Sequence, residues 1–309
     1  FVVALRAKGE SVDEVTGIAG EMLARAHRIE VPGPSLDVVG TGGDRAHTVN
    51  ISTMAAVTCA AAGATVVKHG NRAASSTSGT ADVLEALGVN LKLTPSQVAD
   101  VARTAGITFC FAQVFHPSFR HTAGPRKDIG IPTVFNVLGP LTNPAQPDFA
   151  AVGVADVRLA PLVAGVFASR GKDTAVFRGR DGLDELTIST TSQVWWVRSG
   201  AVHERVVDPE RLGLTTAPLA SLRGGSPAEN AQVVRDTFAG ARGPIRDAVV
   251  LNAGIALAIM GADSGTDQAA FEVDLRAAMD RAEAVLDGGE ATRKLADWSE
   301  ITRTLASAG

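Results

Sequence analysis

Residues 36 to 44 read LDVVGTGGD, a short apolar run that ends in a glycine-rich loop. The run predicts a buried strand, and the alanine-rich stretch after the loop predicts a helix that begins near Ser52 and is ended by Gly63. Residues 65 to 67 predict a second strand, and residues 79 to 87 a second helix. Because strands and helices alternate in this way in parallel sheets, we expect an α/β fold with a central, mainly parallel sheet flanked by helices.

The rest of the chain extends this pattern on both sides. Residues 1 to 29 carry apolar side chains at helical spacing, which predicts two helices, and Pro32 to Pro34 predict a hinge after them. Residues 194 to 197 and 201 to 207 flank a Ser-Gly turn and predict a hairpin on or beside the main sheet. The further predicted elements are a capped helix at 94–106, strands at 107–112, 149–154 and 174–177, a helix at 159–169, and a largely helical C-terminal third.

Composition and charge limit the class of protein. The chain has 309 residues, enough for two lobes, and its 45% hydrophobic and 20% charged residues are typical of a soluble globular protein. A net charge of −4 argues against a nucleic-acid partner, which needs a basic face, but allows small phosphorylated ligands. Cys59 and Cys110 show no CxxC spacing, so we expect reduced thiols in a cytoplasmic protein. No apolar run approaches the roughly 20 residues that span a bilayer, so no membrane partner is expected.

The loop GTGGD, residues 40 to 44, suits a phosphate group. Glycines let main-chain N–H groups approach a ligand, and the loop leads to a helix start whose unpaired N–H groups attract anions. A tight connecting turn is the alternative for the glycines alone. Asp44 fits beside a phosphate if it meets sugar hydroxyls or a bound metal ion. Ser52 is either an N-cap or part of the anion site, and the sequence leaves both open.

A second polar loop, KHGNRAASS at residues 68 to 76, is predicted at the end of the next strand. Open α/β sheets bind ligands at the carboxyl ends of their strands, so this loop and GTGGD are expected to line one pocket. A solvated surface loop is the alternative, and it is disfavoured because Lys68 follows directly from a buried strand.

The segment DGLDE, residues 181 to 185, gathers three carboxylates around a glycine. Proteins hold Mg²⁺ by one or two carboxylates together with ligand phosphates. An acidic surface turn is the ordinary alternative, but beside two phosphate-type loops the sequence favours a magnesium site.

The segment from residue 116 to residue 144 combines Arg120, Arg126 and Lys127 with an apolar, Pro-rich continuation. Arginine can bind a carboxylate through two parallel hydrogen bonds, which lysine cannot match. A basic helix face paired with acidic surface groups is the alternative, and this segment alone does not decide between them.

Together, GTGGD, TVNIST, KHGNRAASS, HPSFR with GPRKDIG, VFNVLGPLTNP and DGLDE resemble the signature motifs of the anthranilate phosphoribosyltransferase family, in the same order along essentially the whole chain. The resemblance implies a nucleoside phosphorylase-like fold: a small all-helical lobe at residues 1–33, with contributions from about 94–125, and a large α/β lobe at 34–309. It implies a homodimer through the helical lobe, of which this chain is expected to lack the first helices. The implied reaction of tryptophan biosynthesis joins anthranilate to the ribose C1 of phosphoribosyl pyrophosphate (PRPP) and uses Mg²⁺, as two ions.

The resemblance also assigns residues to the substrates. PRPP is implied to lie against Gly40, Gly43, Asp44, Thr48, Asn50, Ile51, Ser52, Thr53, Lys68, His69, Gly70, Asn71, Arg72, Ala73, Ala74, Ser75, Ser76 and Thr80. Anthranilate is implied to meet Gly40, Asn71, His116, Phe119 and Arg126. Magnesium is implied to be held by Ser52, Asp184 and Glu185. No residue is assigned as a general acid or base, because an aryl amine is already neutral at pH 7.

Two positions depart from the family pattern. Arg45 stands where the family usually has glycine, which puts the affinity for pyrophosphate in question, and Arg178 stands where it usually has histidine. Two competing interpretations remain: a pyrimidine nucleoside phosphorylase, which shares the fold but should not need the DGLDE metal site, and a non-catalytic relative that binds nucleic acid. The intact loops and the acidic pI disfavour the second.

Overall fold

The computed structural model describes residues 1–72, 78–261 and 267–307. The strands are β1 Leu36–Gly40, β2 Val66–Gly70, β3 Ile107–Phe111, β4 Phe149–Gly153, β5 Asp173–Gly179, β6 Ser192–Arg198 and β7 Ala201–Val207. Within the described residues they form one seven-stranded sheet in the order β3-β2-β1-β4-β5-β6-β7. Strands β1 to β5 are parallel, and β6 and β7 continue the sheet in antiparallel fashion.

Helices cover both faces of this sheet. They are α1 Val2–Lys8, α2 Val12–Ala24, α3 Ile51–Ala61, α4 Thr80–Ala86, α5 Pro95–Ala105, α6 Ala112–Phe115, α7 Arg120–Ile129, α8 Leu138–Leu141, α9 Ala160–Ser169, α10 Pro227–Phe238, α11 Pro244–Met260, α12 Gln268–Asp287 and α13 Glu290–Ser307. Short 3-10 helices span Pro117–Phe119, Val134–Asn136 and Leu219–Leu222. None of the helices in the described residues is long and apolar enough to cross a membrane.

The two faces of the sheet carry separate apolar cores. One core contains Ile51 of α3, Leu251 of α11 and Trp298 of α13. The other contains Val15 of α2 and Val163 of α9. Because both faces are covered, the parallel strands are near-continuous apolar runs, as is typical of α/β proteins. This architecture confirms the predicted fold class, the two N-terminal helices, the hairpin and the helical C-terminal third.

The predicted division into two lobes stays a prediction. Helix α2 packs against α8 and α9, whereas α5, which the resemblance assigns partly to the helical lobe, packs against β3 and α13. The backbone N–H of His27, after α2, donates to the Phe115 carbonyl of α6 at 2.9 Å and joins residues from both predicted parts of that lobe.

One detail of the sequence prediction was wrong. The polar loop was expected to begin at Lys68, but Lys68 to Gly70 are the last residues of β2, because β3 continues to offer paired residues as far as Phe111. The helix predicted to begin near Ser52 is confirmed as α3, which begins at Ile51 with Asn50 as its N-cap. Ser52 therefore lies inside the helix and is not its N-cap.

Candidate active site

The site lies where the strand order reverses. The chain proceeds from β1 to β2 and β3 on one side and returns to β4 on the other, which leaves a crevice at the carboxyl ends of the strands. Gly40 and Gly153 end β1 and β4 and pair with each other in register. A Cβ atom built on Gly40 would lie 2.3 Å from the Asp184 carboxylate, and one on Gly153 would lie 1.5 Å from the Asp184 carbonyl oxygen. These two glycines therefore allow the segment 181–185 to cross the edge of the sheet.

Three carboxylates meet at this crossing, and we call Asp44, Asp184 and Glu185 the acidic corner. Each offers an oxygen atom, and these atoms lie within 4.8 Å of one another. The Gly42 N–H donates to Asp184 Oδ2 at 2.6 Å and so ties the glycine loop to the acidic segment. Burial raises the pKa of Asp184, and the charge of Asp44 raises it further. Burial and the charge of Asp184 likewise raise the pKa of Glu185 well above its ordinary value.

The donor set of the acidic corner fits a hard cation. Glu185 Oε2 is buried and has no hydrogen-bond partner in the part of the chain that the structure describes. A divalent ion would satisfy this atom and relieve the mutual repulsion of the carboxylates, and carboxylate oxygens are ligands that Mg²⁺ prefers. Asp181 is engaged elsewhere, because its Oδ2 accepts from Thr187 Oγ1 at 2.7 Å. Asp44, which the resemblance gives only to PRPP, takes its place in the cluster.

Lys68 faces the acidic corner from β2. Its side chain is buried, and Nζ donates to the Val38 carbonyl and, at 3.3 Å, to Ser52 Oγ. Burial lowers the pKa of Lys68 to about 8, while the nearby carboxylates, Asp37 foremost, oppose this change. Ser52 is thus placed beside a buried cation at the start of α3.

Asp37 lies beneath the site within β1, where the sequence shows only one polar letter in an apolar run. Its Oδ1 accepts from the His69 backbone N–H at 3.1 Å, and its Oδ2 accepts from Asn143 Nδ2 at 2.8 Å. Burial raises the pKa of Asp37 to about 6, although Lys68 acts in the opposite direction. Sequence reasoning missed this residue, which joins β1, the end of β2 and the loop after α8.

A series of aromatic side chains in contact with one another begins at the end of β2. Together with one arginine, we call them the aromatic corner: His69, His116, Phe119, Phe135 and Arg126. The ring centroids of His69 and His116 are 5.1 Å apart, those of His116 and Phe119 5.9 Å, and those of Phe119 and Phe135 6.1 Å. Arg126 Cζ lies 5.6 Å from the centroid of Phe135. The structure therefore connects three residues predicted for anthranilate through Phe135, which sequence reasoning did not assign.

Both histidines of the aromatic corner are held as neutral donors. A carbonyl can only accept, so His69 Nδ1–H donates to Gly139 O at 2.9 Å and His116 Nε2–H donates to Thr142 O at 2.8 Å. Burial lowers the pKa of His69 to about 3, and burial also lowers the pKa of His116. In the described residues His69 Nε2 is buried without a partner.

Arg126 brings a positive charge to the aromatic corner. Its side chain is half-buried, and burial lowers the pKa of the guanidinium. Among the described residues no carboxylate lies within salt-bridge distance of it. A guanidinium that no carboxylate of the described residues neutralises, beside aromatic rings, suits a ligand that carries both a ring and a carboxylate.

The other predicted residues are placed as follows. The Asn71 carbonyl accepts from the Ala81 N–H at 3.3 Å, which holds the end of β2 against α4. The Arg72 guanidinium is engaged by Asp82 at 2.8 Å and Glu85 at 2.6 Å, so its side chain is turned toward α4. Gly43 lies in the glycine loop, Thr48, Asn50, Ile51 and Thr53 lie at or just before the start of α3, Gly70 ends β2, and Thr80 begins α4. Ala73, Ala74, Ser75 and Ser76 lie outside the described residues.

Comparison with known proteins places the chain in a family. Residues 33–292 match the glycosyl transferase family, a/b domain. An anthranilate phosphoribosyltransferase from Arthrobacter sp. (strain FB24) is 57% identical over 303 residues, which cover 98% of this chain and 85% of that protein.

Two solved structures share the fold over nearly the whole chain. The anthranilate phosphoribosyltransferase of Thermus thermophilus superposes with a TM-score of 0.89 at 40% identity, covering 98% of this chain and 88% of that one. The Saccharomyces cerevisiae enzyme in complex with PRPP and Mg superposes with a TM-score of 0.88 at 29% identity, covering 99% of this chain and 84% of that one. The chain belongs to the anthranilate phosphoribosyltransferase family.

Proposed function

We propose that this chain transfers the 5-phosphoribosyl group of PRPP to the amine of anthranilate and releases pyrophosphate. The observation that carries the proposal is the meeting of the acidic corner with the glycine loop and Lys68 at the carboxyl ends of β1, β2 and β4. The aromatic corner, which includes Arg126, begins at the next residue of β2. The yeast relative, whose structure contains PRPP and Mg, supports the same substrate and ion.

PRPP is proposed to bind across the glycine loop, the start of α3 and the end of β2. The loop N–H groups and the first turn of α3 offer donors to phosphate oxygens, and Lys68 adds a buried positive charge. Magnesium, as two ions, is proposed to be held by Asp184, Glu185 and Ser52, with Asp44 as a further ligand. When bound, Mg²⁺ would neutralise the charge that develops on the departing pyrophosphate.

Anthranilate is proposed to lie in the aromatic corner. Arg126 would hold its carboxylate through two hydrogen bonds, while Phe119 and Phe135 cover its ring and exclude water. The bond from ribose C1 to pyrophosphate breaks, the amine nitrogen forms the new bond to C1 from the opposite face, which inverts C1, and the proton that the nitrogen loses passes to the departing pyrophosphate or to water. The buried histidines stay neutral and are not needed as bases, so the rate enhancement rests on positioning and charge neutralisation.

A fluorescence assay of anthranilate consumption tests the proposed function. We expect the anthranilate signal to fall only when the protein, PRPP and Mg²⁺ are all present. Omission of Mg²⁺ in the presence of EDTA is the control. Turnover of a pyrimidine nucleoside with phosphate and without Mg²⁺, together with no loss of anthranilate, would contradict it.

Two further features of the proposal rest on the family resemblance. The chain is proposed to form a homodimer through α1, α2 and their neighbours, which light scattering coupled to size exclusion would test. It is also proposed to act in the cytoplasm, where the buried thiols of Cys59 and Cys110 stay reduced.

A further inference from the structure

A chain of hydrogen bonds runs from helix α10 into the proposed PRPP site. The Gly225 N–H donates to Asn230 Oδ1 at 2.8 Å, and Asn230 Nδ2 donates to Asn50 Oδ1 at 2.8 Å. Asn50 Nδ2 then donates to the Ser78 carbonyl at 3.2 Å. Asn50 is the N-cap residue of α3, but its side chain makes no capping bond. Its amide instead bonds Asn230 and the Ser78 carbonyl.

The hydrogen-bond series ends on one side in a group that can only donate and on the other side in a group that can only accept. A backbone N–H such as that of Gly225 can only donate, so the atom of Asn230 that faces it must be the oxygen. A backbone carbonyl such as that of Ser78 can only accept, so the atom of Asn50 that faces it must be the nitrogen. The two amides therefore have one consistent orientation, in which Asn50 points its NH₂ group toward residue 78 and keeps its oxygen turned away.

The fold is built to bring Asn230 to this place. Asn230 is 1% exposed and lies in the first turn of α10, which begins with a capping box formed by Ser226 and Glu229. A Cβ atom built on Gly224 would lie 2.7 Å from Asn230 Oδ1 and 2.9 Å from the Thr48 carbonyl, so this approach requires glycine. The segment 222–224 also pairs with the strand-like residues before α3, since the Val49 N–H donates to Leu222 O at 2.8 Å.

We propose that Asn230 is a positioning residue for PRPP: it fixes the Asn50 amide so that the second N–H of Asn50 Nδ2 donates to the phosphorylated substrate. The inference rests on the proposed function, because Asn50 is assigned to PRPP there. Neither the family resemblance nor the motifs around α3 point to Asn230, which lies 180 residues further along the chain.

Asn230→Asp separates orientation from simple packing. Aspartate keeps the shape of asparagine and still accepts from the Gly225 N–H, but its second oxygen cannot donate to Asn50. Asn50 must then either lose this bond or turn its NH₂ toward Asp, which would point its oxygen at the Ser78 carbonyl and at the phosphate. We expect the KM for PRPP, and its Kd by calorimetry with Mg²⁺, to rise roughly tenfold or more, the effect of a lost hydrogen bond to a charged group. The KM for anthranilate at saturating PRPP should stay unchanged.

Matched variants exclude other causes. Gln232→Glu makes the same amide-to-carboxylate change on the exposed face of α10, where Gln232 bonds only Asp236 among the described residues, and should leave both KM values unchanged. In an Asn50→Ala background, Asn230→Asp should add little, because its effect passes through Asn50. Asn230→Ser breaks the same bond without adding charge; it should also raise the KM for PRPP, and it serves if the aspartate variant does not fold.

Three results would overturn the inference. Equal PRPP affinity in Asn230→Asp and the unaltered protein would show that Asn230 does not orient Asn50. An undiminished effect in the Asn50→Ala background would assign the loss to direct charge repulsion. Failure of the unaltered protein to bind PRPP at all would overturn the proposed function, and the inference with it. This outcome is distinguished from failure of the inference alone, because it is seen in the unaltered protein and not only in the variants.

Discussion

Adjacent residues of β2 separate the acidic corner from the aromatic corner, since Lys68 faces the first and His69 belongs to the second, yet the two regions differ in their charges. In the acidic corner, burial and neighbouring carboxylates raise the pKa of Asp184 and of Glu185, and Glu185 keeps a buried oxygen without a partner in the described residues. In the aromatic corner, burial holds both histidines neutral and leaves Arg126 as a positive charge beside the rings. The negative charge of the acidic corner suits a cation, and the positive charge of the aromatic corner suits an anion. Together they suit a metal-bound diphosphate beside an aromatic acid.

The largest expected effect comes from neutralising the acidic corner. Asp184→Asn together with Glu185→Gln should reduce turnover at least about a thousandfold, because the several kcal/mol that a metal ion contributes to stabilising the leaving group would be lost. The fold should persist, since the change removes mutual repulsion. Steady-state kinetics and thermal unfolding measure the two quantities. The same substitutions at the exposed Asp297 and Glu300 of α13 are the control, and turnover unchanged in the double variant would remove the metal assignment.

In the aromatic corner the decisive change is Arg126→Lys. Lysine keeps the charge but loses the two parallel hydrogen bonds, so the KM for anthranilate should rise roughly 10- to 100-fold. The KM for PRPP should be unaffected, which separates the two regions. Arg120→Lys, at an exposed position of the same helix, is the matched control. An unchanged KM for anthranilate would place its carboxylate elsewhere.

Asp37 lies beneath the site, where it accepts a hydrogen bond from the His69 backbone and carries a charge close to Lys68. Its substitution tests how the two regions are joined. In Asp37→Asn, an NH₂ group replaces one carboxylate oxygen and would face the His69 N–H or the Asn143 amide, both of which donate. The substitution should therefore lower the free energy of unfolding by about 1–3 kcal/mol. The pKa of Asp37 is raised in the folded state from 3.8 to about 6, so the stability that its retained proton confers is full below pH 3.8 and is lost as the pH rises through 6.

The cost of Asp37→Asn should therefore be larger at pH 5 than at pH 7.5, by about 1 kcal/mol. Urea unfolding of both proteins at the two pH values measures this difference. Asp297→Asn, at an exposed position, is the control. A cost that does not vary with pH would show that Asp37 titrates normally.

The smallest expected effect concerns Arg45, which stands where the family usually has glycine. The structure gives Arg45 a φ of 61°, a left-handed conformation that costs a residue with a side chain about 1–2 kcal/mol. Glycine removes this strain but gains freedom in the unfolded chain, so Arg45→Gly should stabilise by about 1 kcal/mol or less.

Comparison with Arg45→Ala separates backbone strain from charge. A KM for PRPP that rises equally in the glycine and alanine variants would show that the guanidinium binds the diphosphate. A KM that falls only in the glycine variant would show that the strained loop weakens binding. Thermal unfolding and steady-state kinetics of both variants provide the comparison.

The sequence predicted the parts of the site better than their meetings. The GTGGD loop at a strand end, the polar end of β2 and the DGLDE carboxylates were each recognised from local composition. The contact of Gly42 with Asp184 spans 142 residues and depends on β4 lying beside β1, which no local pattern encodes. For the same reason the sequence left open whether Asp44 meets sugar hydroxyls or a metal ion, and did not join it to the carboxylates of DGLDE.

Residues that act through others were the ones missed. Asp37 looks like one polar position in a buried strand, Phe135 like part of an apolar run, and Asn230 like an ordinary residue of an amphipathic helix. Their roles come from burial beside a partner far away in the sequence. The end of β2 was also misplaced, because pairing with β3 outweighed the polar composition of Lys68 to Gly70.

A crystal structure with PRPP and Mn²⁺, an anomalous scatterer in place of Mg²⁺, tests the central claim most directly. We predict an anomalous peak within coordination distance of the carboxylates of Asp44, Asp184 or Glu185 and of the diphosphate oxygens of PRPP. PRPP bound with its Mn²⁺ beyond the reach of all three carboxylates would contradict the account.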